Sequence, residues 1–355
     1  MEFLATTDKV SVSGRTVFRD GVRFLGYSTS SVSFAFRGRQ ASVQFISDPE
    51  AFLPEWKAWV AVYINEEKEP SMRFSLSEKE QKITVYSSDT ESEVKIKVMK
   101  YSEPEYAVCG IRGIEIDGEL LAPPAKKSRR IQVIGDSITC GYGIEGSVTD
   151  EIHDTATENP TKAYAYRTAE ALDAELEIVA WNGKGVITSY IGDEDVPKEE
   201  SWLVPMLYEY TDAGLEKQYF HLPKEQWEKW NPEDFVPELV IVHLGTNDAS
   251  YTREIAERNR DFSDGYLAFL ETIHKKNPSA KLLTMLGIMD RRLCETVKQA
   301  TAFFQEKHPE LTAEYIELPE QREEDGLGTF WHPTSAANLR AVECIVPKVK
   351  DMMGW

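Results

Sequence analysis

A change in hydrophobic period near residue 122 constrains the fold of this chain more than any other feature. Before it, short β-branched or aromatic runs alternate with turn residues. After it, short apolar runs alternate with longer segments whose apolar residues recur at helical spacing. The first pattern predicts an all-β sandwich or jelly roll, and the second predicts an α/β domain with a parallel sheet. A chain of 355 residues is long enough for both.

The boundary lies in a proline-containing basic segment, residues 121–130. Two consecutive prolines and four Lys or Arg residues interrupt both periods there, which is typical of a linker. We therefore predict a β-sandwich domain over residues 1–122, a linker over 123–130 and an α/β domain over 131–355. In the first domain, the Arg-Gly-Arg sequence at 37–39 separates two alternating runs and predicts a hairpin turn.

Strand and helix patterns alternate strictly in the second domain. The apolar runs predict strands at residues 131–134, 177–180, 239–244, 281–286 and 313–318, with helices that include 263–275 and 335–352. A parallel sheet covered on both faces by helices places functional side chains at the carboxyl ends of its strands. We therefore expect catalytic residues at that edge of the sheet.

The composition restricts the classes of ligand that we expect and indicates a cellular location. A net charge of -20 at pH 7 disfavours nucleic acid and anionic membranes as partners. The chain has no run of about 18 apolar residues and starts without a signal-peptide pattern, so we expect a cytoplasmic protein. Its four cysteines and six histidines form no C-x-x-C, H-x-x-x-H or H-E-x-x-H pair, so we expect no metal and no cofactor.

A serine follows the first predicted strand of the second domain. Ser137 lies in the sequence Gly-Asp-Ser-Ile-Thr, residues 135–139, where a tight turn would expose it at the carboxyl edge of the sheet. Nucleophiles of many hydrolases occupy such a position. The G-x-S-x-G elbow is absent, because Thr139 replaces its second glycine. A structural or phosphate-binding turn is the competing interpretation.

Two more polar segments are predicted at strand or helix ends. The sequence Gly-Thr-Asn-Asp follows the strand at 239–244, where Asn247 could donate to an oxyanion and contribute about 3 kcal/mol to transition-state stabilisation. An ordinary strand-to-helix turn, with Asn247 and Asp248 as helix caps, is the alternative interpretation. His332 lies in a loop before the last helix, and its imidazole could act as a general base. A loop histidine is usually solvated, but the three segments together favour a catalytic site.

Four segments carry a family resemblance: Gly-Asp-Ser at 135–137, Trp-Asn-Gly-Lys-Gly at 181–185, Gly-Thr-Asn-Asp at 245–248 and His-Pro at 332–333. They resemble the SGNH (GDSL-type) hydrolases. The resemblance implies a flavodoxin-like three-layer domain in which Ser137 attacks an ester and His332 takes its proton. It also implies an oxyanion hole of the Ser137 N–H, a glycine and the Asn247 side chain. Gly183 matches that glycine best, and Gly185 is the alternative.

The β-rich first domain, the aromatic segment at 207–210 and Trp331 narrow the resemblance further. The whole chain is similar to carbohydrate esterase family 2, the two-domain acetylxylan esterases. This resemblance implies removal of O-acetyl groups from acetylated xylo-oligosaccharides or similar sugars. A homo-oligomer is left open.

The chain departs from the SGNH pattern at one position. The family usually has an aspartate three residues before the histidine, and here that residue is Thr329. The group that orients His332 could be a backbone carbonyl of the loop at 329–330 or the carboxylate of Asp325. We favour a Ser-His dyad with a carbonyl partner, because a neutral acceptor can also select the imidazole tautomer.

Aromatic residues concentrate between the second and third predicted strands of the α/β domain. We expect Trp202 and Tyr208, with Trp331 beside the base, to bind the sugar, although packing is the common role of such residues. A lipase- or thioesterase-like acyl hydrolase is one alternative function, which would need an apolar acyl channel. A carbohydrate-binding protein with weak catalysis is the other, suggested by the missing aspartate.

Overall fold

The computed structural model describes residues 1–192 and 196–355, which divide into two compact units. The first unit comprises Met1–Lys127, Ile152–Glu158 and Thr211–Glu228, and the second comprises Ser128–Glu151, Asn159–Tyr210 and Lys229–Trp355. Two segments that the sequence analysis assigned to the α/β domain, at 152–158 and 211–228, therefore belong to the β-rich unit. The first strand of the second unit begins at Arg129, inside the predicted linker.

Long-range contacts hold the segment Thr211–Glu228 in the first unit. The ring of Phe220 packs edge-on against that of Phe24, with centroids 5.3 Å apart. Arg19 donates to both carboxylate oxygens of Glu216 at 3.0 and 3.1 Å, and Glu216 is fully buried. These partners are separated by about two hundred positions in the sequence, so no local period could reveal them.

Ten strands of the described residues form one curled antiparallel sheet in the first unit. They are β1 (Glu2–Phe3), β2 (Ser11–Ser13), β3 (Thr16–Arg19), β4 (Val22–Leu25), β5 (Ser31–Ile46), β6 (Ala58–Ile64), β7 (Met72–Leu76), β8 (Glu80–Lys100), β9 (Cys109–Ile116) and β10 (Glu119–Leu120). The main strand order is β3-β4-β9-β5-β8-β6-β7, with β1 beside β9 and with β2 and β10 beside β5. The all-β prediction for the first domain is confirmed.

The predicted hairpin turn at residues 37–39 is wrong. The segment lies inside β5, where the register with β8 shifts between Gly38 and Gln40. Asp117 Oδ1 accepts hydrogen bonds from the backbone N–H groups of Arg39 and Gln40 at 2.8 and 2.9 Å, and a Cβ atom on Gly38 would collide with that oxygen. The glycine therefore marks a β-bulge and a close approach rather than a turn.

The bulge keeps both halves of β5 facing the core. Even-numbered residues point inward before it, and odd-numbered residues point inward after it. The side chains of β5 in the main apolar core of this unit are Val32, Phe34, Phe36, Ala41, Val43 and Phe45. Without the extra residue, one half of this strand would turn its apolar side chains outward.

The described part of the second unit contains a five-stranded parallel sheet with helices on both faces. The strands are β11 (Arg129–Asp136), β12 (Ala174–Trp181), β13 (Leu239–His243), β14 (Lys281–Leu286) and β15 (Ala313–Glu317). The helices are α1 (Ser137–Cys140), α2 (Tyr164–Ala171), α3 (Val204–Tyr208), α4 (Ala249–Thr252), α5 (Ala256–Lys276), α6 (Cys294–Lys307) and α7 (Ser335–Met353). The strand order β12-β11-β13-β14-β15 is that of flavodoxin-like folds.

This topology confirms the α/β prediction and places the candidate site. Helices α2 and α7 pack together, and α5 packs with α6. Strand β11, which lies between β12 and β13, ends at Asp136, while β12 ends at Trp181 and β13 at His243, so the loops after them meet at one edge. Among the described residues, no helix is both long enough and apolar enough to span a bilayer.

Candidate active site

Ser137 is the first residue of the one-turn helix α1, directly after β11. The Asp136 side chain caps this turn by accepting a hydrogen bond from the Ile138 N–H at 3.1 Å. A Cβ atom on Gly135 would collide with the Thr139 hydroxyl, so the turn needs glycine at that position. The turn therefore fixes Ser137 at the carboxyl edge of the sheet.

His332 contacts the serine directly. Its Nε2 atom lies 2.8 Å from Ser137 Oγ, and its Nδ1 atom lies 2.9 Å from the carbonyl oxygen of Thr329. Because a carbonyl only accepts, Nδ1 carries the proton and Nε2 is left to accept from the serine hydroxyl. The ring of Tyr142 packs against the imidazole with centroids 4.6 Å apart. The imidazole thus has the tautomer that a general base requires.

The carbonyl that orients His332 belongs to a firmly held residue. Thr329 is fully buried, its backbone N–H donates to the Gly143 carbonyl at 3.0 Å, and its hydroxyl donates to Asp150 Oδ2 at 2.7 Å. A Cβ atom on Gly143 would collide with Thr329. Sequence analysis did not identify Asp150, because it lies far from Thr329 in the chain and belongs to no recognisable motif.

The loop before His332 is tightly wound. Phe330 and Trp331 have φ angles of 51° and 62°, in the left-handed region that costs a non-glycine residue about 1–2 kcal/mol. The Gly328 N–H closes the loop by donating to the His332 carbonyl at 2.8 Å. This conformation presents the Trp331 side chain to solvent, with 59% of the residue exposed.

Asp325 does not contact the imidazole. Its carboxylate forms an ion pair with Arg340 and accepts a hydrogen bond from the Arg322 N–H at 2.9 Å. Of the two acceptors that the sequence left open for His332, the geometry therefore provides the backbone carbonyl of Thr329.

Asn247 lies in the turn after β13, and it is buried. Its Nδ2 atom donates to the Lys184 carbonyl at 3.1 Å and contacts Asp136 Oδ2 at a longer 3.3 Å. The amide group thus joins the loop after β12 to the capping aspartate beside Ser137.

The two candidate glycines of the loop after β12 have different surroundings. Gly183 has a φ angle of 68°, and no heavy atom of the described residues outside 182–184 lies within 4 Å of where its Cβ would be. A Cβ on Gly185 would instead collide with the carboxylate of Asp248 and the carbonyl of Thr188. Gly183 borders open space and Gly185 is packed, which favours Gly183 as a backbone donor to a ligand.

Asp248 stabilises the loop after β12 by accepting hydrogen bonds from its backbone. One of its carboxylate oxygens, Oδ1, accepts from the backbone N–H groups of Val186, Ile187 and Thr188 at 3.0, 2.8 and 3.3 Å. Burial raises the pKa of Asp248 to about 6 despite these hydrogen bonds. The sequence analysis considered this residue only as a helix cap.

Burial also shifts the pKa values of Asp136, which directly precedes Ser137, and of His243, which ends β13 at the same sheet edge. It raises the pKa of Asp136 to about 7, with a smaller upward contribution from the charge of Asp248 and a downward one from the Ile138 hydrogen bond. It lowers the pKa of His243, at the end of β13, to about 4. His243 is therefore neutral at physiological pH.

The three aromatic residues that were predicted to bind the sugar differ in exposure and in their contacts. Tyr208 is 1% exposed, and its hydroxyl donates to Gln132 Oε1 at 2.9 Å, so the prediction that it lines a sugar site is wrong. Trp202 is half-buried and stacks on Trp181 with ring centroids 5.6 Å apart. Trp331 is exposed beside His332. Packing of an apolar ring, with its hydroxyl bonded inside, accounts for Tyr208.

A serine hydroxyl bonded to an imidazole whose other nitrogen is bonded to a backbone carbonyl, at the carboxyl edge of a flavodoxin-like sheet, is the arrangement of a serine hydrolase. Residues 133–339 match the family described as GDSL-like Lipase/Acylhydrolase, and the chain belongs to that family. Residues 12–124 match a second description, Carbohydrate esterase 2 N-terminal. The family resemblance, the fold class and the enzyme class of carboxylic ester hydrolase are thereby confirmed.

Curated proteins and solved structures agree with this assignment. The chain is 27% identical to cellulase/esterase CelE of Acetivibrio thermocellus over 93% of its length, and it spans 38% of that longer protein. It is 24% identical to an acetylxylan esterase / glucomannan deacetylase of Cellvibrio japonicus, covering 99% of this chain and 91% of the other. A family two carbohydrate esterase from Clostridium thermocellum, solved with cellohexaose, superimposes with a TM-score of 0.82 at 26% identity, covering 98% and 99% of the two chains.

Proposed function

We propose that this protein is a serine esterase that removes O-acetyl groups from acetylated xylo-oligosaccharides or similar sugars. The observation that carries the proposal is the chain of hydrogen bonds from the Ser137 hydroxyl through His332 to the Thr329 carbonyl, at 2.8 and 2.9 Å. The similarity to a protein named acetylxylan esterase / glucomannan deacetylase, over 99% of this chain, supports the substrate class.

The geometry supports a two-step acyl transfer. Ser137 Oγ attacks the acetyl carbonyl carbon while its proton moves to His332 Nε2. When the tetrahedral intermediate collapses, Nε2 returns that proton to the departing sugar oxygen, which leaves an acetyl group on the serine. Water then attacks the acetyl-serine, and His332 accepts a proton from the water and passes it to Ser137 Oγ as acetate leaves.

The Thr329 carbonyl orients the base during both steps. It accepts from Nδ1 and so keeps Nε2 free to take the serine proton. As a neutral acceptor it stabilises an imidazolium less than a carboxylate would. We therefore assign most of the rate enhancement to stabilisation of the oxyanion.

Three donors are proposed for that oxyanion: the backbone N–H groups of Ser137 and Gly183, and Asn247 Nδ2. Gly183 borders open space on its α-carbon side. The Asn247 contact to Asp136 is the longer of its two, at 3.3 Å, and a full negative charge on the substrate oxygen would compete for that hydrogen. Each donor is worth about 3 kcal/mol in a site of this kind.

Trp331 is proposed to bind the sugar ring. Apolar faces of sugars stack on exposed indoles, and Trp331 is both exposed and held next to His332 by the wound loop. Trp202, stacked on Trp181 at the end of β12, is proposed as a second contact. The net charge of -20 fits a neutral ligand better than an anionic one.

A role in xylan degradation and a cytoplasmic location are part of the same proposal. None of the four cysteines forms a disulfide in the described part of the chain, which fits a reducing compartment. Fractionation of the source cells with an antibody against the protein would test the location. A homo-oligomer is left open here, and light scattering of the purified protein would measure it.

The decisive experiment compares wild type with Ser137→Ala and with Ser87→Ala, a matched change at an exposed serine of β8. Acetate release is measured from acetylated xylo-oligosaccharides and from a chromogenic acetate ester. Wild type and Ser87→Ala should hydrolyse both substrates, and Ser137→Ala should retain less than about 1% of the activity.

Three outcomes would contradict the proposal. Residual activity of Ser137→Ala well above 1%, in a variant with an unchanged circular dichroism spectrum, would remove Ser137 as the nucleophile. A wild type that binds oligosaccharides but releases no acetate would make the protein a carbohydrate-binding module. Equal kcat/KM for acetate and octanoate esters would favour a lipase-like function.

A further inference from the structure

Two histidines meet where two packed helices end. His274 lies in the last turn of α5, and His308 is the residue that terminates α6. Their ring centroids are 4.9 Å apart. Glu310 follows in the loop before β15, and one ligand atom of each of the three residues lies within 4.8 Å of the other two. Imidazole nitrogens and a carboxylate are thus concentrated at one point.

The hydrogen bonds of His308 define its two nitrogens. Nε2 lies 3.0 and 3.1 Å from the carboxylate oxygens of Glu271, which only accept, so Nε2 carries a proton. Nδ1 lies 3.3 Å from Glu310 Oε1. A lone pair on Nδ1 would face that negative oxygen unprotected, so a proton or a metal ion is needed between them.

His274 strengthens the case for a metal ion. Its Nε2 atom lies 3.9 Å from the same Glu310 oxygen, too far for a hydrogen bond. A proton on His308 would account for the contact of His308 with Glu310 but would involve no atom of His274. A metal ion near Glu310 Oε1 could be bound by both imidazole rings.

We propose that His274, His308 and Glu310 bind one divalent first-row transition-metal ion, for which Zn²⁺ is the best match. Two imidazoles and a carboxylate form a donor set that Zn²⁺ commonly has, with a fourth position left to water. Glu271 is then the outer carboxylate that orients a ligating histidine, as in many zinc sites.

The surroundings favour a cation. The carbonyl ends of α5 and α6 carry partial negative charge, and both histidines lie there. Tetrahedral zinc with bonds of about 2.1 Å requires ligand atoms about 3.4 Å apart. The Glu310 side chain is 64% exposed and can rotate to close that gap without disturbing the core.

The proposed ion is structural and separate from hydrolysis. Helix α5 precedes β14 and α6 precedes β15, so the C-terminal ends of both helices lie at the amino edge of the parallel sheet. Ser137 follows the carboxyl end of β11, at the opposite edge. An ion at the amino edge would cross-link α5, α6 and the loop before β15.

The test uses the full chain without an affinity tag, freed of metal by a chelator and then dialysed. Zn²⁺ binding is measured by calorimetry, and Co²⁺ is used to obtain a visible absorption band of a tetrahedral site. The variants are His308→Gln, His274→Gln and Glu310→Gln, with His221→Gln as the matched change at an exposed histidine of the first unit. The esterase activity of every variant serves as the control for folding.

Wild type and His221→Gln should bind one Zn²⁺ per chain and show a higher Tm in its presence. His308→Gln and His274→Gln should bind at least tenfold more weakly, lose the cobalt band and show no rise in Tm. Glu310→Gln, an exposed change that spares the core, should also lose affinity. Absence of zinc binding by wild type, or equal affinity in wild type and the three cluster variants, would overturn the proposal.

Discussion

The Nδ1 atom of His332 donates to the main-chain carbonyl of Thr329, the residue three positions earlier, at 2.9 Å. Thr329 stands where the resemblance leads one to expect an aspartate. Its side chain is directed elsewhere, to Asp150 at 2.7 Å. The residue at this position therefore provides an acceptor from its backbone, which explains how a chain without the aspartate can still orient the imidazole.

Removing the charge of Asp325 should leave catalysis nearly intact. The carboxylate is committed to Arg340 and to the backbone of Arg322, so Asp325→Asn should keep kcat within about threefold of wild type. Loss of a true triad acid costs about 10⁴-fold. Steady-state kinetics on an acetate ester measures the effect. A collapse of kcat with an unchanged circular dichroism spectrum would show that Asp325 supports the base after all.

Asp150 should matter more than Asp325, because Asp150 holds the residue whose carbonyl orients the imidazole. Asp150→Ala removes the acceptor of the Thr329 hydroxyl and loosens the carbonyl that orients His332. We expect kcat to fall by about tenfold or more with KM little changed, because small displacements of a catalytic group are costly. Asp150→Asn, whose amide oxygen can still accept, should recover part of the loss. No change in kcat for Asp150→Ala would contradict this positioning role.

Asn247→Ala should lower kcat by about 10²-fold with little change in KM, since an oxyanion donor acts mainly in the transition state. Asn247→Asp, which has the same shape and no N–H donor, should be at least as impaired. The matched control is Asn231→Ala, at an exposed asparagine. If Asn247→Ala raised KM alone, the residue would be a ground-state binding group instead of an oxyanion donor.

Trp331→Ala should separate sugar binding from chemistry. The exposed indole lies next to His332 but forms no part of the proposed proton path. Loss of stacking worth about 1 kcal/mol should raise KM for an acetylated xylo-oligosaccharide roughly fivefold. KM and kcat for a small acetate ester should stay within about twofold, and Trp331→Phe should be intermediate. Equal losses on both substrates would place Trp331 in the catalytic step.

The buried Asp136 should make the protein less stable as the pH rises. Burial raises its native pKa to about 7, whereas an unfolded aspartate titrates near 3.9. Between these values the native state binds more protons than the unfolded state, so the free energy of unfolding falls as pH increases from about 4 to 7.

Asp136→Asn removes this dependence while retaining the oxygen that accepts from Ile138. Urea unfolding at pH 5 and pH 8 should show that the variant loses less stability than wild type across this interval, by an amount on the order of 1–4 kcal/mol. The control variant, Asp89→Asn at an exposed position, should follow wild type. Parallel curves for Asp136→Asn and wild type would mean that Asp136 is ionised without cost in the native state.

Local patterns in the sequence were sufficient for the architecture of both domains. The five predicted strands of the α/β domain correspond to β11–β15, and the helix predicted at 335–352 is α7. These elements could be predicted because buried parallel strands appear as continuous apolar runs and amphipathic helices as apolar residues at helical spacing, and both are local patterns in the sequence. The same reasoning placed Ser137 and Asn247 at one sheet edge, since strand ends are adjacent whenever the strands are parallel.

Tertiary structure decided the features that depend on residues distant in sequence. Gly38 forms a bulge because Asp117 approaches it, and the segment 211–228 joins the β-rich unit through the Glu216 and Phe220 contacts. Tyr208 is buried by packing that no local period encodes.

The acceptor for His332 was open for the same reason. The sequence shows which side chains are nearby in the chain, but a backbone carbonyl has no sequence signature, and only the wound loop at 329–331 directs it to the imidazole. His274 and His308 likewise come together only because α5 and α6 pack side by side. Periodicity therefore determined the layers of this protein, while long-range packing determined which atoms meet at its sites.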